Sequence, residues 1–201
     1  LAAPATAGTA SSVPASSPPA LSQQLARLPL VFEPNIGQTD PAVAFLARGS
    51  GYTLFLTGGE IALSLPPGAS GAVPAGAALS LRLLGASGRP AAEGAEPLPG
   101  KVNYYVGRDP SGWREGVPTY GRVRFHEVWP GIDVEFYGNQ GELEHDFVVE
   151  PGADPSRIVV AIDGAECVEL RGDGALVADA GGSEVMLRPP QVYQLDGGAR
   201  R

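Results

Sequence analysis

The sequence predicts an all-β, mainly antiparallel sandwich, with two packed sandwich subdomains as the variant and no substantial helix. Three observations predict it. Short runs alternate apolar and polar residues, the pattern of a strand with one buried and one wet face. The chain holds 28 Gly and 20 Pro in 201 residues, and both disfavour helices. Turn signals recur every 8–12 residues or so between roughly a dozen candidate strands, with no amphipathic helical run among them.

Residues 1–28 are rich in Ala, Pro, Ser and Thr with almost no charge. They read as a disordered linker, and Ala5-Thr6-Ala7 fits a small-residue signal-peptidase site, which points to export. Ser22 to Leu28 offers one or two helical turns, too short to stand alone. The folded region is expected over 29–195, with 196–201 starting a linker to something further on. Phe32-Glu-Pro-Asn-Ile-Gly-Gln-Thr-Asp-Pro41 is crowded with turn formers and has no helix or strand period.

Strands are expected at Val43–Arg48, Tyr52–Thr57, Glu60–Leu65 and Ala78–Leu84. Gly58-Gly59 makes a hairpin, and Pro66 to Gly76 a loop. Ala86 to Gly100 reads as a second loop, the place for a seam between two subdomains. Gly100–Gly107 is a further strand, near a false phosphate-loop match. Gly94 to Gly100-Lys101 is wrong by one residue, and Val102 stands where Ser or Thr would hold magnesium, so that reading is excluded. Trp113 to Thr119 leads into Tyr120–Val128, where Arg122 and Arg124 share one face and Val123 and Phe125 the other.

The most interpretable stretch is Trp129–Glu150, a hairpin. Ile132, Val134 and Phe136 alternate with Asp133, Glu135 and Tyr137, then Leu143, His145 and Phe147 alternate with Glu142, Glu144 and Asp146. With Asn139-Gln140 as the turn, Glu135 faces Glu144, Asp133 faces Asp146 and Tyr137 faces Glu142. Ile132, Val134 and Phe136 then meet Phe147, His145 and Leu143 on the core face. Like charges opposite each other destabilise a sheet, so something must sit among these carboxylates. The preferred answer is a ladder with Arg122 and Arg124; the alternative is a hard cation such as calcium on oxygen ligands. Strands at Arg157–Asp163, Glu166–Leu170, Ala175–Ala180, Glu184–Leu187 and Gln191–Leu195 complete the meander.

Composition bounds the function. A net charge of −8 argues against a nucleic-acid partner. One cysteine, Cys167, and two histidines, His126 and His145, exclude an intrachain disulfide, a Cys-based zinc site and a multi-His metal site. No stretch approaches the ~20 apolar residues of a membrane span. His126 is expected beside the carboxylates on the wet face, and His145 in the core. Cys167 reads as small strand filler, and Arg171-Gly172-Asp173 as a plain turn rather than an adhesive tripeptide. Tyr104, Tyr105, Trp113, Tyr120, Trp129 and Tyr137 are read mainly as core, with a sugar-stacking surface as the alternative.

Four segments together resemble one family: Phe32-Glu-Pro-Asn-Ile-Gly-Gln-Thr-Asp, Ala47–Leu56, Leu98–Gly107 and Tyr137–Val149. It is the uncharacterised N-terminal domain of bacterial SBBP-repeat (beta-propeller repeat) secreted proteins, and the likeness runs from about Val31 to Leu195. The resemblance implies an extracellular or cell-surface location and propeller-type repeats downstream as partners. It brings no catalytic residues, and His145 departs from the family's usual Tyr. The expected function is a non-catalytic scaffold or interaction module needing no cofactor. Next comes a carbohydrate- or calcium-binding module on a glycan or protein surface, using Asp133, Glu135, Glu144, Asp146, Arg122, Arg124 and Tyr137. Third is a glycoside hydrolase with two of these carboxylates roughly 5–9.5 Å apart.

Overall fold

The computed structural model describes residues 30–49, 51–65, 78–139, 142–180, 183–196 and 199–200. The predicted linker, its helical turns and the 66–76 loop lie outside the described residues. Every strand ladder is antiparallel, as expected for an all-β chain. The strands are β1 (Phe32–Pro34), β2 (Phe45–Gly49), β3 (Tyr52–Leu56), β4 (Glu60–Ser64), β5 (Ala78–Leu83), β6 (Ala92–Tyr104), β7 (Arg114–Trp129), β8 (Ile132–Asn139), β9 (Glu142–Val149) and β10 (Val160–Asp163). These ten make one sheet in the order β10-β5-β4-β3-β2-β1-β7-β8-β9, with β6 on the other side of β7. Strands β11 (Cys167–Leu170), β12 (Leu176–Ala180) and β13 (Ser183–Leu187) form a small second sheet, and β14 (Leu195–Asp196) pairs with β15 (Ala199–Arg200). Among the described residues helix is confined to 3-10 turns at Pro110–Gly112 and Pro155–Arg157, each opened by an Asp whose side chain accepts the N–H of the following Ser.

The large sheet curls until its two halves face each other. Leu54, Leu56, Ile61, Leu63, Leu81 and Leu83 from β3–β5 share one core with Val123, Phe125, Ile132, Val134 and Phe136 from β7 and β8. Alternation put these residues on one face in sequence, and burial of that face holds the halves together. The curl is fastened where β7 ends. Trp129 is 2% exposed, and its indole N–H donates to the Leu84 carbonyl at 3.0 Å just past β5. The Ser87 N–H donates to the Val128 carbonyl at 2.7 Å beside it. The small sheet seats Ala178 and Ala180 against Leu65 and Leu79 at the far end of β4 and β5.

Several expectations need correction. The stretch 86–100, expected as a loop and seam, is largely strand: β6 begins at Ala92 and pairs along β7 from Phe125 to Arg114. Its Pro, Gly and Glu residues hide it from a period-2 reading, because partner side chains do the packing. A Cβ at Gly94 would run into the Tyr120 ring, which covers that glycine from the neighbouring strand. Phe32–Pro34, without any local strand signal, is β1, recruited by pairing Phe32 with Ala47 and Tyr120. The strand expected from Arg157 begins only at Val160, after the Pro155 turn, and that expected at Gln191–Leu195 is reduced to Leu195–Asp196. Cys167 lies on a strand, as expected, exposed on the outer β11.

Candidate functional site

The hairpin forms, with its register displaced. Asn139 pairs with Glu142, so Glu135 faces Asp146, Tyr137 faces Glu144 and Asp133 faces Val148; Phe136 meets His145 and Val134 meets Phe147. The expected Asn139-Gln140 turn is corrected, since Asn139 belongs to β8; Gln140 and Gly141 lie outside the described residues. Each partner moves two positions along β9, an even step, so the acidic face and the core face keep their members. The pairing of two Glu and of two Asp, which made the cluster repulsive on paper, is relieved for Asp133 and for Glu144.

What sits among the carboxylates is arginine. β7 lies beside β8 with Arg122 opposite Tyr137 and Arg124 opposite Glu135. Arg122 bonds Glu135 at 2.9 Å and Glu96 of β6 at 3.1 Å, with its guanidinium 4.5 Å from the Tyr137 ring centre. Arg124 bonds Asp133 at 2.8 Å and Glu135 at 3.2 Å. His126 lies on the same wet face, as expected, 3.1 Å from Glu93 and 3.3 Å from Asp133.

Asp133 is the hub. One oxygen takes Arg124 and His126, while the other accepts the Glu127 N–H at 2.7 Å. Glu127 has a φ of 47° inside a bulge between Phe125 and Trp129, which lets consecutive Val128 and Trp129 both turn inward. Burial opposes ionisation of Asp133, but the Glu127 N–H, Arg124 and His126 outweigh it and hold the carboxyl below its ordinary value. Tyr137 donates to Asp146 at 3.1 Å, and Tyr193 donates to the other Asp146 oxygen at 2.8 Å. Burial, then Asp146 and Glu144, push the Tyr137 phenol up to about 12. Asn139 donates to Glu144 at 2.8 Å.

All seven residues singled out from sequence therefore meet on one face, and each of the four carboxylates has protein donors. Sequence reasoning missed Glu93, Glu96, Asn139, Arg188 and Tyr193. The first two sit on a strand read as loop, Asn139 was read as part of the turn, and Arg188 and Tyr193 arrive through tertiary packing. It also missed a second cluster. Glu33 is buried beneath Arg48 at 3.0 Å, accepts the Tyr104 hydroxyl, and Arg48 in turn donates to that hydroxyl at 2.6 Å.

The Asn35–Asp40 loop is built by its own amides. Asn35 donates to the Asp40 carbonyl at 2.7 Å and accepts the Gly37 N–H at 3.0 Å; Gln38 donates to the Pro34 carbonyl at 2.7 Å. Arg114 holds this loop to the β6–β7 tip by donating to the carbonyls of Ile36 and Trp113. Gly37, at φ 106°, keeps the guanidinium side of the turn free of a Cβ.

The aromatics sort cleanly. Trp129 is core, Tyr120 packs against the core, and Tyr104 and Tyr137 serve the two charged clusters. Tyr105 and Trp113 stand out at the β6–β7 tip, perpendicular to each other with ring centres 5.2 Å apart. Tyr105 is 56% and Trp113 37% exposed, and Ile36 and Val106 are exposed beside them. Arg171-Gly-Asp173 is a turn, closed by the Gly174 N–H on the Arg171 carbonyl at 2.9 Å and by Asp173 accepting the Ala175 N–H.

Residues 32–201 match a family model described as a domain of unknown function, DUF7948. The chain belongs to the DUF7948 family. No curated protein and no solved structure matches it. Among the described residues of this DUF7948 domain no helix is long and apolar enough to cross a membrane, and no three His, Cys, Asp or Glu side chains gather as a metal site would require.

His145 of the DUF7948 domain faces Phe136 and Phe147, with ring centres 6.2 and 5.3 Å away. Burial among them lowers its pKa, outweighing the opposing pull of Asp146. A folded state that resists protonation has full stability above the unfolded value of about 6.5 and loses it as pH falls through that value toward the lowered one. Denaturant midpoints are therefore expected to fall between about pH 7 and pH 5 in the parent chain. In His145→Tyr that part of the slope should vanish. An unchanged slope would place the titrating group elsewhere.

Proposed function

We propose that this domain is a non-catalytic scaffold and interaction module of an exported, modular bacterial protein, in which it precedes propeller-type repeats. One observation carries the non-catalytic part. Asp133, Glu135 and Asp146 are engaged by Arg122, Arg124, Tyr137 and Tyr193, and Glu144, which lines a shallow cavity of about 160 Å³ with Glu142, Asn139 and Arg188, accepts from Asn139, so each of these four carboxylates is already committed to a protein donor. Export and the repeats rest on the sequence resemblance and on the composition of residues 1–28. The test is to read the coding frame beyond Arg201 and to fractionate the producing cells. Tandem repeats of about 40–50 residues with strand patterning, in a protein recovered outside the cytoplasm, are the expected result. A catalytic domain there, or cytoplasmic retention, would overturn the reading.

A second reading, glycan binding, is favoured by the Tyr105/Trp113 corner. An exposed aromatic face stacks on the apolar face of a sugar ring, and this one is held on a loop tied down by Arg114. It moves the candidate glycan site away from the 132–147 carboxylates. Binding of the chain to a panel of immobilised polysaccharides, lost in Trp113→Ala with melting temperature unchanged, would support it. Equal binding by parent and variant would remove it.

A further inference from the structure

Every sheet strand that lacks a neighbour presents a row of unsatisfied backbone groups, and folds ordinarily blunt such edges. This one blunts most of them. The outer side of β6 carries Pro97 and Pro99, a φ of 56° at Glu96 and two register shifts. β10 and β11 are four residues long, and β13 five. β9 is different. It is the terminal strand of the ten-stranded sheet and pairs with β8 in unbroken register over eight residues, with no proline, glycine, bulge or positive φ.

The hydrogen-bond phase says which groups are open. The Glu150 N–H donates to the Gly131 carbonyl at 2.9 Å, so that pair exchanges bonds across the hairpin. Bonded pairs alternate along an antiparallel ladder. Glu142, Glu144, Asp146 and Val148 therefore bond to β8, and the N–H and C=O groups of Leu143, His145, Phe147 and Val149 aim at the open side. Among the described residues no main-chain group bonds to them. The Arg188 and Tyr193 side chains reach β9 at Glu142 and Asp146.

The side chains above and below that edge define the occupant. One face shows Glu142, Glu144 and Asp146 in a row; the other shows Leu143, His145, Phe147 and Val149. A second copy adding its own β9 in antiparallel fashion would set the acidic row against itself, which is unfavourable. Arg188 shows the complement: a basic group already sits on Glu142.

We propose that the open edge of β9 is a docking site for an extended segment of another polypeptide, added antiparallel or parallel as an eleventh strand, with Lys or Arg at alternate positions over the acidic row and apolar residues between them. Main-chain bonds give the affinity in this mode and alternate side chains the selectivity. The inference deepens the interaction-module reading and rests on it.

The experiment uses the 201-residue chain and a synthetic twelve-residue peptide alternating Lys with Val and Thr, labelled for fluorescence anisotropy. Two comparators are a peptide of the same composition with its lysines in one block, and the alternating peptide with Glu for Lys. The alternating Lys peptide is expected to bind at least about tenfold more tightly than either. Amide exchange followed by NMR should show Leu143, His145, Phe147 and Val149 fast in the free chain and slowed by the peptide, while Glu144 and Asp146 stay slow throughout. E142K/E144K should reverse the preference toward the Glu peptide with its melt retained. Slow exchange of the four amides in the free chain, equal binding of the two Lys peptides, no binding, or protection at another strand would each overturn the proposal. Failure here with tandem repeats found beyond Arg201 would remove the edge site and leave the module; edge binding without such repeats would do the reverse.

Discussion

Trp129→Ala is expected to lose about 3–5 kcal/mol of stability, a fall in melting temperature of about 6–20 °C for a chain of this length. The indole is fully packed where β7 ends, tilted against Phe147 with ring centres 6.0 Å apart, and its N–H satisfies the Leu84 carbonyl. Alanine would leave a cavity and an orphaned carbonyl at the point where the curled sheet is fastened. Urea denaturation followed by circular dichroism measures the loss. Trp129→Phe separates the two parts: it refills most of the cavity and leaves the carbonyl unsatisfied, costing about 1–3 kcal/mol. A loss below ~1 kcal/mol in the alanine variant would mean that this corner does not hold the sheet together.

Asp133→Ala comes next, at about 2–4 kcal/mol, because it orphans the Glu127 N–H of the bulge and leaves Arg124 with Glu135 alone in a half-buried layer. The exposed Arg82–Asp163 pair is the internal control, since both side chains are about half accessible, 51% and 47%. Asp163→Ala should cost far less than Asp133→Ala, because solvent screens an exposed pair. The acid limb is a further readout for Asp133, and the Asp163 carboxyl, held down by its hydrogen bond to Arg82, shares its direction. The Asp133 carboxyl is held below its ordinary value in the fold, so its contribution is complete above an unfolded value of about 3.9 and is lost as pH falls through the folded value. The parent chain should lose stability steeply below about pH 4, and Asp133→Asn should be flatter there. Equal losses for Asp133 and Asp163 would reduce the ladder to ordinary surface pairing.

Alternation by itself determined the all-β class and the membership of both hairpin faces. Residues two apart share a face whatever their partner is, so Arg122 with Arg124, and Asp133 with Glu135, could be grouped before any pairing was known. The same logic placed His126 beside carboxylates and His145 on the core face.

Pairing was decided only by the tertiary structure. The hairpin could slide by an even step without moving a side chain to the wrong face, so nothing in the period distinguished Glu135 opposite Glu144 from Glu135 opposite Asp146. β1 is too short and β6 carries too much Pro and Gly to announce itself, and both become strands because β2 and β7 offer them a ladder. Two separate sheets were also indistinguishable, in sequence, from one sheet curled onto itself. Long-range contacts such as Trp129 on Leu84 choose between them, and no local pattern encodes a partner 45 residues away.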